Sequence, residues 1–142
     1  MDVRWAQRFG NFAKAFKLLR GALEEREIDD YDDLQKEGVI QRFEYTFELF
    51  WKTVRDYLQN EEVDIGVVSA KNVIKAAARS NLLELMDVDG EILLDMLETR
   101  NMMSHTYDMD KFTLALNEIK GSFLGELGKA YEYLWTRSLA LE

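Results

Sequence analysis

Apolar residues recur along this chain at intervals of three and four, the spacing that lines one face of an α-helix. From about Asp2 to Leu23 they are Trp5, Phe9, Phe12, Phe16, Leu19 and Leu23, and from about Asp33 to Asn60 they are Ile40, Phe43, Phe47, Phe50, Val54 and Tyr57. Two long amphipathic helices joined by a short link are expected to lie antiparallel with these stripes in contact. The link, Glu24–Asp33, sets seven carboxylates against Arg26. It is read as a solvated connection whose last carboxylates cap the second helix, where the positive end of the helix dipole favours them. After a further connection over 61–68, Ser69 is the expected N-cap of a short helix through Arg79, with Val73, Ile74 and Ala77 inward and Ser80-Asn81 at its end. Asp87 or Asp89 caps a helix that carries Ile92, Leu93, Met96, Leu97 and then Arg100 toward His105. Asp108 or Asp110 opens the last helix, Lys111 to about Ser138, whose inner stripe is Phe112, Leu116, Ile119, Phe123, Leu127, Ala130 and Leu134. Gly121, Gly125 and Gly128 lie inside it at up to about 1 kcal/mol each relative to alanine. Close approach of another helix, from the same chain or a second subunit, is the expected compensation. No alternating pattern competes, so the expected fold is all-α: an up-and-down antiparallel bundle of about five helices.

Composition supports this reading. The 142 residues contain no proline, where average usage of ~5% would place roughly seven. A proline inside a helix removes a hydrogen bond and clashes with the preceding turn, so long helices with short connections leave it few positions. At 47% hydrophobic and 12% aromatic residues there is ample material for a core within one domain. The absence of cysteine excludes a disulfide framework, a thiolate metal site and a cysteine nucleophile. No apolar run approaches the ~20 residues that span a bilayer, and the N-terminus has no secretory pattern, so a cytoplasmic protein is expected.

The chemistry concentrates in one string. His105, the sole histidine, lies in Thr99-Arg100-Asn101-Met102-Met103-Ser104-His105-Thr106-Tyr107-Asp108, which combines a fixed positive charge, an imidazole and hydroxyls. On a straight helix five residues subtend about 500°, placing Arg100 and His105 about 140° apart, whereas Asn101 and His105 share a face. Arg100 joins them only if the helix ends near Ser104 and the chain turns. Read without further context, Arg100 pairs with a surface carboxylate, His105 caps a helix C-terminus and Tyr107 packs its ring. The other candidates are weaker. The acidic run Glu24–Asp33 is a solvated segment rather than a cation site, and Asp87-Val88-Asp89-Gly90 is similar to part of a calcium loop but lacks the remaining ligands. No metal or cofactor is expected.

Arg100-Asn101-x-x-x-His105-x-Tyr107 resembles the R-x4-H-x-Y motif of the HEPN superfamily, all-helical domains that include many metal-independent ribonucleases. The stretches Gln41–Leu58 and Ser69–Arg79 resemble the branch named nucleotidyltransferase substrate-binding proteins, and the likeness covers nearly the whole chain. The resemblance implies a single HEPN-like domain over residues 1–142. It also implies a homodimer and a partner, a minimal nucleotidyltransferase. In toxin-antitoxin members the helical protein is the RNase toxin, and the transferase silences it by adenylylating the motif tyrosine, here Tyr107.

Metal-independent RNA cleavage uses the neighbouring 2′-hydroxyl as nucleophile and needs a general base, a general acid and positive charge at the phosphorus. One chain supplies a single histidine. A twofold dimer that joins two motifs supplies two imidazoles and two guanidiniums, so the site is expected near the twofold. There His105 is base or acid, Arg100 holds phosphate, and Asn101 orients one of them or binds phosphate. The substrate would be RNA, such as tRNA or mRNA. The net charge of −9 opposes this, because RNA binding draws on basic patches. Arg100 with Arg42, Lys71, Lys75 or Arg79 offsets it only locally. The same acidity suits a non-catalytic substrate-binding subunit of the transferase, the alternative reading. Trp5, Trp51 and Trp135 are read as core or dimer contacts rather than base-stacking platforms.

Overall fold

The two aromatic stripes fold onto each other as their spacing predicts. In the computed structural model, which describes residues 3–141, α1 (Arg4–Glu25) and α2 (Asp33–Asn60) run antiparallel along most of their lengths. Every residue of both expected stripes is buried. The seam interlocks through Phe12 and Phe50, 5.7 Å between ring centroids, and through Trp5 and Tyr57, edge to face at 5.1 Å. These are the tilted and T-shaped arrangements that aromatic quadrupoles favour. At the far end the buried Asp56 carboxylate accepts from Arg8 Nε at 2.6 Å and Arg55 Nε at 3.0 Å, tying α1 to α2 with charge-assisted bonds. The expected start of α1 at Asp2 lies outside the described residues.

The Asp32 side chain accepts from Gln35 N at 2.7 Å while Gln35 returns a bond to Asp32 N, a capping box that starts α2. The acidic link itself departs from the sequence reading. It contains a short 3-10 turn, Ile28–Asp30, that buries Ile28, and the Tyr31 hydroxyl donates to the Ala22 carbonyl. One apolar residue among seven carboxylates is enough to pin the link to the bundle, and an average over the segment hides it.

The remaining helices pack around the α1–α2 pair. Ser69 caps α3 (Ala70–Arg79), Asp89 caps α5 (Gly90–His105) and Asp108 caps α6 (Met109–Glu118), each a residue type expected in that place. Between α3 and α5 lies α4 (Leu82–Met86), which the sequence reading missed. It is too short to display a periodic stripe, and left-handed residues bracket it, Asn81 at φ 66° and Asp87 at φ 60°. Asn and Asp tolerate that conformation better than other residues with a Cβ.

The helix expected from Lys111 to Ser138 begins at Met109 and is one continuous rod, α6 followed by α7 (Leu124–Leu139), with one wide π turn at Ile119–Phe123. Its whole inner stripe is buried. The π turn contains Gly121 and Ser122, residues of low helix propensity where departure from α geometry is cheap. Of its three glycines, Gly128 alone has a neighbour in reach, but a Cβ there would lie 3.5 Å from the Phe16 ring, an ordinary contact, so the expected close approach does not demand glycine. Gly121 and Gly125 face open space within the chain. Among the described residues there is no strand, and no helix is long and apolar enough to cross a membrane. The antiparallel all-helical bundle therefore holds, with five long helical rods plus α4.

Phe47, fully buried at the centre of α2 between Phe43 and Phe50, lies where the bundle depends most on volume. Phe47→Ala is expected to lower unfolding free energy by about 3–5 kcal/mol in urea titrations followed by far-UV dichroism.

Candidate functional site

The face of α2 next to its aromatic stripe is polar: Glu37, Gln41, Glu44 and Glu48, spaced 4, 3 and 4. The corner where α5 ends and α6 begins packs against this face, so Arg100 and Ser104 meet successive rungs, Glu48 and Glu44. Arg100 sits on the lowest. Its Nη2 donates to Glu48 Oε2 at 3.0 Å, and Trp51 Nε1 donates to the same oxygen at 3.1 Å. Glu48 Oε1 is 3.4 Å from Lys52 Nζ. Arg100 Nη1 donates to Asn101 Oδ1 at 3.2 Å, while Nε is buried without an acceptor among the described residues. One turn on, Ser104 Oγ lies 3.0 Å from both Glu44 Oε2 and the Arg100 carbonyl.

His105 is the last residue of α5. Thr106 is extended and Asp108 caps α6, so the chain turns between the two helices. His105, Tyr107, Met103 and Phe112 face Glu37, Gln41 and Glu44 across an open cleft of about 520 Å³. His105 is exposed, and Tyr107 is 77% exposed with its ring edge-on to Phe112 at 5.8 Å between centroids.

The four candidates from the sequence therefore divide. His105 and Tyr107 share one cleft, while Arg100 and Asn101 are held together beside it on the Glu48 rung. Because α5 stays helical through His105, the chain does not turn early enough to swing Arg100 toward the imidazole, and the two diverge as a straight helix requires. Pairing of Arg100 with a carboxylate and ring packing by Tyr107 are both present. The sequence reading did not single out Glu37, Gln41, Glu44 and Glu48. Their signal was a second 3/4 stripe, polar, running beside the aromatic one.

Residues 7–136 match the family described as nucleotidyltransferase substrate binding protein like. The chain belongs to this family. It thus falls in the HEPN branch that the Arg100–Tyr107 string and the Gln41–Leu58 stretch resemble. A curated relative, the probable ribonuclease HepT of Haemophilus influenzae, is 34% identical over 77 residues. That match covers 52% of this chain and 50% of the relative, so the chain spans about half the length of the curated protein it matches.

In this member of the family the motif tyrosine stands in a negative field. The Glu37 carboxylate as hydrogen-bond acceptor, then its charge, then slight desolvation and the charge of Asp33 all raise the Tyr107 pKa above that of an ordinary phenol. Tyr107 therefore keeps its proton further into the alkaline range. Glu37 is the adjacent acceptor for that proton. Glu37→Gln is expected to bring the Tyr107 titration midpoint down toward the free-tyrosine value. The phenolate absorbance of each protein, less that of its Tyr107→Phe counterpart, reads this midpoint, and an unmoved value would show that Glu37 is not the perturbing group.

Proposed function

We propose that this protein is a metal-independent endoribonuclease of HEPN type whose active site forms where two copies meet. The observation that carries the reading is the shared open cleft, in which His105 and Tyr107 of the R-x4-H-x-Y string are both exposed and face the same wall of α2. The partial likeness to a probable ribonuclease supports it. Because Arg100 and His105 diverge within one chain, a twofold pairing supplies what a single chain does not: two imidazoles facing one phosphodiester, flanked by two guanidiniums.

In that arrangement one His105 takes the proton of the 2′-hydroxyl as O2′ bonds to phosphorus. The P–O5′ bond breaks, and the second His105 gives a proton to the leaving O5′. The products are a 2′,3′-cyclic phosphate and a 5′-hydroxyl, with no water consumed. Arg100, pre-oriented by Glu48 and Asn101, offers its outer Nη edge to the phosphorane oxygens. Asn101 acts through Arg100 as a positioning residue.

Control by a cognate nucleotidyltransferase antitoxin completes the proposal. The Tyr107 oxygen attacks the α-phosphorus of ATP, pyrophosphate leaves, and the phenolic proton passes toward Glu37. AMP on Tyr107 then fills the cleft and sets a negative charge beside His105. A second reading, a non-catalytic substrate-binding subunit of that transferase, is favoured by one observation: two carboxylates, Glu37 and Glu44, line the cleft that RNA would enter.

Inducible expression separates the two without the transferase. The nuclease reading expects growth arrest and RNA loss with wild type, both abolished by Arg100→Ala or His105→Ala, and RNA fragments ending in cyclic phosphate. Normal growth with intact RNA and folded protein supports the binding subunit instead. Incubation with the neighbouring transferase and ATP is expected to place one AMP on Tyr107. Peptide mass spectrometry locates it, and an adduct elsewhere, or none, counts against Tyr107 as the acceptor.

A further inference from the structure

The charges of this chain are unevenly placed. From Arg4 to Leu23, α1 carries Arg4, Arg8, Lys14, Lys17 and Arg20 and not one carboxylate, in a protein of net charge −9. Two of these cations are committed: Arg8 to the buried Asp56, and Arg20 to Glu24 at 3.9 Å. Lys14 and Lys17 take part in no ion pair among the described residues, and neither does Arg42 on the facing side of α2. Lys14 and Arg42 flank a depression of about 250 Å³ between α1 and α2, lined also by Asn11, Leu18 and Tyr45 with no acidic residue. Leu18 is 60% and Tyr45 62% exposed, so an apolar floor and an aromatic ring stand open to solvent between two cations without a carboxylate partner, Arg42 being tethered only by a 3.4 Å bond from Nη1 to the Leu18 carbonyl.

The position of this depression matters as much as its charge. Gln41 lines the His105 cleft and Arg42 the depression; Glu44 lines the cleft and Tyr45 the depression. The two share a rim on α2, with Tyr45 on it. We infer that the α1–α2 depression is an anchoring subsite for single-stranded RNA, in which Lys14 and Arg42 hold backbone phosphates, a base lies on Tyr45, and the strand continues over the rim to His105. The inference deepens the nuclease reading and rests on it for what happens at the far end of the strand.

Charge and size favour this occupant. A phosphate chain matches paired cations at the edges of an apolar floor, and base-on-aromatic stacking tolerates any sequence. The volume falls below the roughly 300 Å³ at which pockets for drug-sized ligands begin, which suits a single base. The depression also answers the electrostatic objection to RNA binding. The strand is gripped on the carboxylate-free face of α1 and α2, and only the scissile group enters the acidic cleft. Of the cations expected to help Arg100, Arg42 is the one so placed, whereas Arg79 donates to the Asp64 carbonyl on another side of the bundle.

The test is fluorescence anisotropy with a fluorescein-labelled oligouridylate in the His105→Ala background, so that binding is read without cleavage. Lys14→Glu with Arg42→Glu is expected to weaken binding at least about tenfold. It should also flatten the log–log salt slope by about 1.4, from roughly 0.7 per phosphate contact on a single strand. Lys14→Gln with Arg42→Gln should lose less affinity with the same flattening. Tyr45→Ala should cost about fivefold or more, and Tyr45→Phe should recover it. Affinity within twofold of the parent for the charge-reversed variant, with matching thermal melts, would overturn the subsite. So would competition by polyglutamate as effective as by unlabelled RNA, which would assign the face to an acidic protein. Binding that depends on Lys14, Arg42 and Tyr45 in a protein that never cuts RNA would sink the nuclease reading and leave the subsite standing. Cleavage by wild type with binding indifferent to all three would do the reverse.

Discussion

The rotation of α2 about its own axis is the constraint on which the rest of this structure depends. Burial of Phe43, Phe47, Phe50 and Val54 against the α1 stripe permits one orientation, because turning the helix by a single residue would expose rings whose burial contributes about 1.5–3 kcal/mol each. Once that face is fixed, the others follow from helical geometry. Glu37, Gln41, Glu44 and Glu48 turn toward the end of α5, and Arg42 and Tyr45 turn toward the outer side of α1. One aromatic seam thus aims two chemically different faces, although no residue of the seam reaches solvent at either.

On the proposed reading, the polar face lets an acidic chain carry a phosphate-binding motif without undermining it. Glu48 accepts from Arg100 Nη2 and also from Trp51, and Asn101 accepts from Nη1, so both terminal nitrogens of the guanidinium are held while the side chain stays partly exposed. The pair is part-exposed, and such pairs contribute only ~0–1 kcal/mol to stability. Its effect is orientation rather than strength. On the proposed reading, an arriving phosphate meets a side chain already set in place, the ordering entropy of a long side chain having been spent during folding.

Much of this was legible in the sequence, and the parts that were not share a physical cause. Stripes of six or seven apolar residues located α1, α2 and the α6–α7 rod, because a stripe is local and repeated; Ser69 marked one helix start outright, whereas the others were narrowed only to the end of the acidic link, to Asp87 or Asp89 and to Asp108 or Asp110, of which the structure uses Asp32, Asp89 and Asp108. The α4 helix, the 3-10 turn at Ile28 and the π turn at Ile119–Phe123 are each five residues or fewer, too short for periodicity to register. In the site, Arg100, Asn101, His105 and Tyr107 stood out because they are close in sequence. Their partners did not: Glu48 is 52 positions from Arg100 and Glu44 is 60 from Ser104, contacts that only the packing of α5 on α2 creates.

That packing also explains why the motif has the length it has. With α5 helical through His105, a four-residue spacer turns Arg100 and His105 about 140° apart, a separation that would defeat any site built within one chain. The same divergence suits a site built from two. An arginine directed at the flank and a histidine directed at the end of the helix do not both face a phosphate from their own copy, whereas in the proposed dimer a twofold axis beside the cleft would return the partner's pair from the opposite direction. Tyr107, two residues beyond the imidazole and past the end of α5, stands 77% exposed in the same cleft. On the proposed reading that exposure is what admits a modifying enzyme, and the shared cleft is what makes an adduct there block His105.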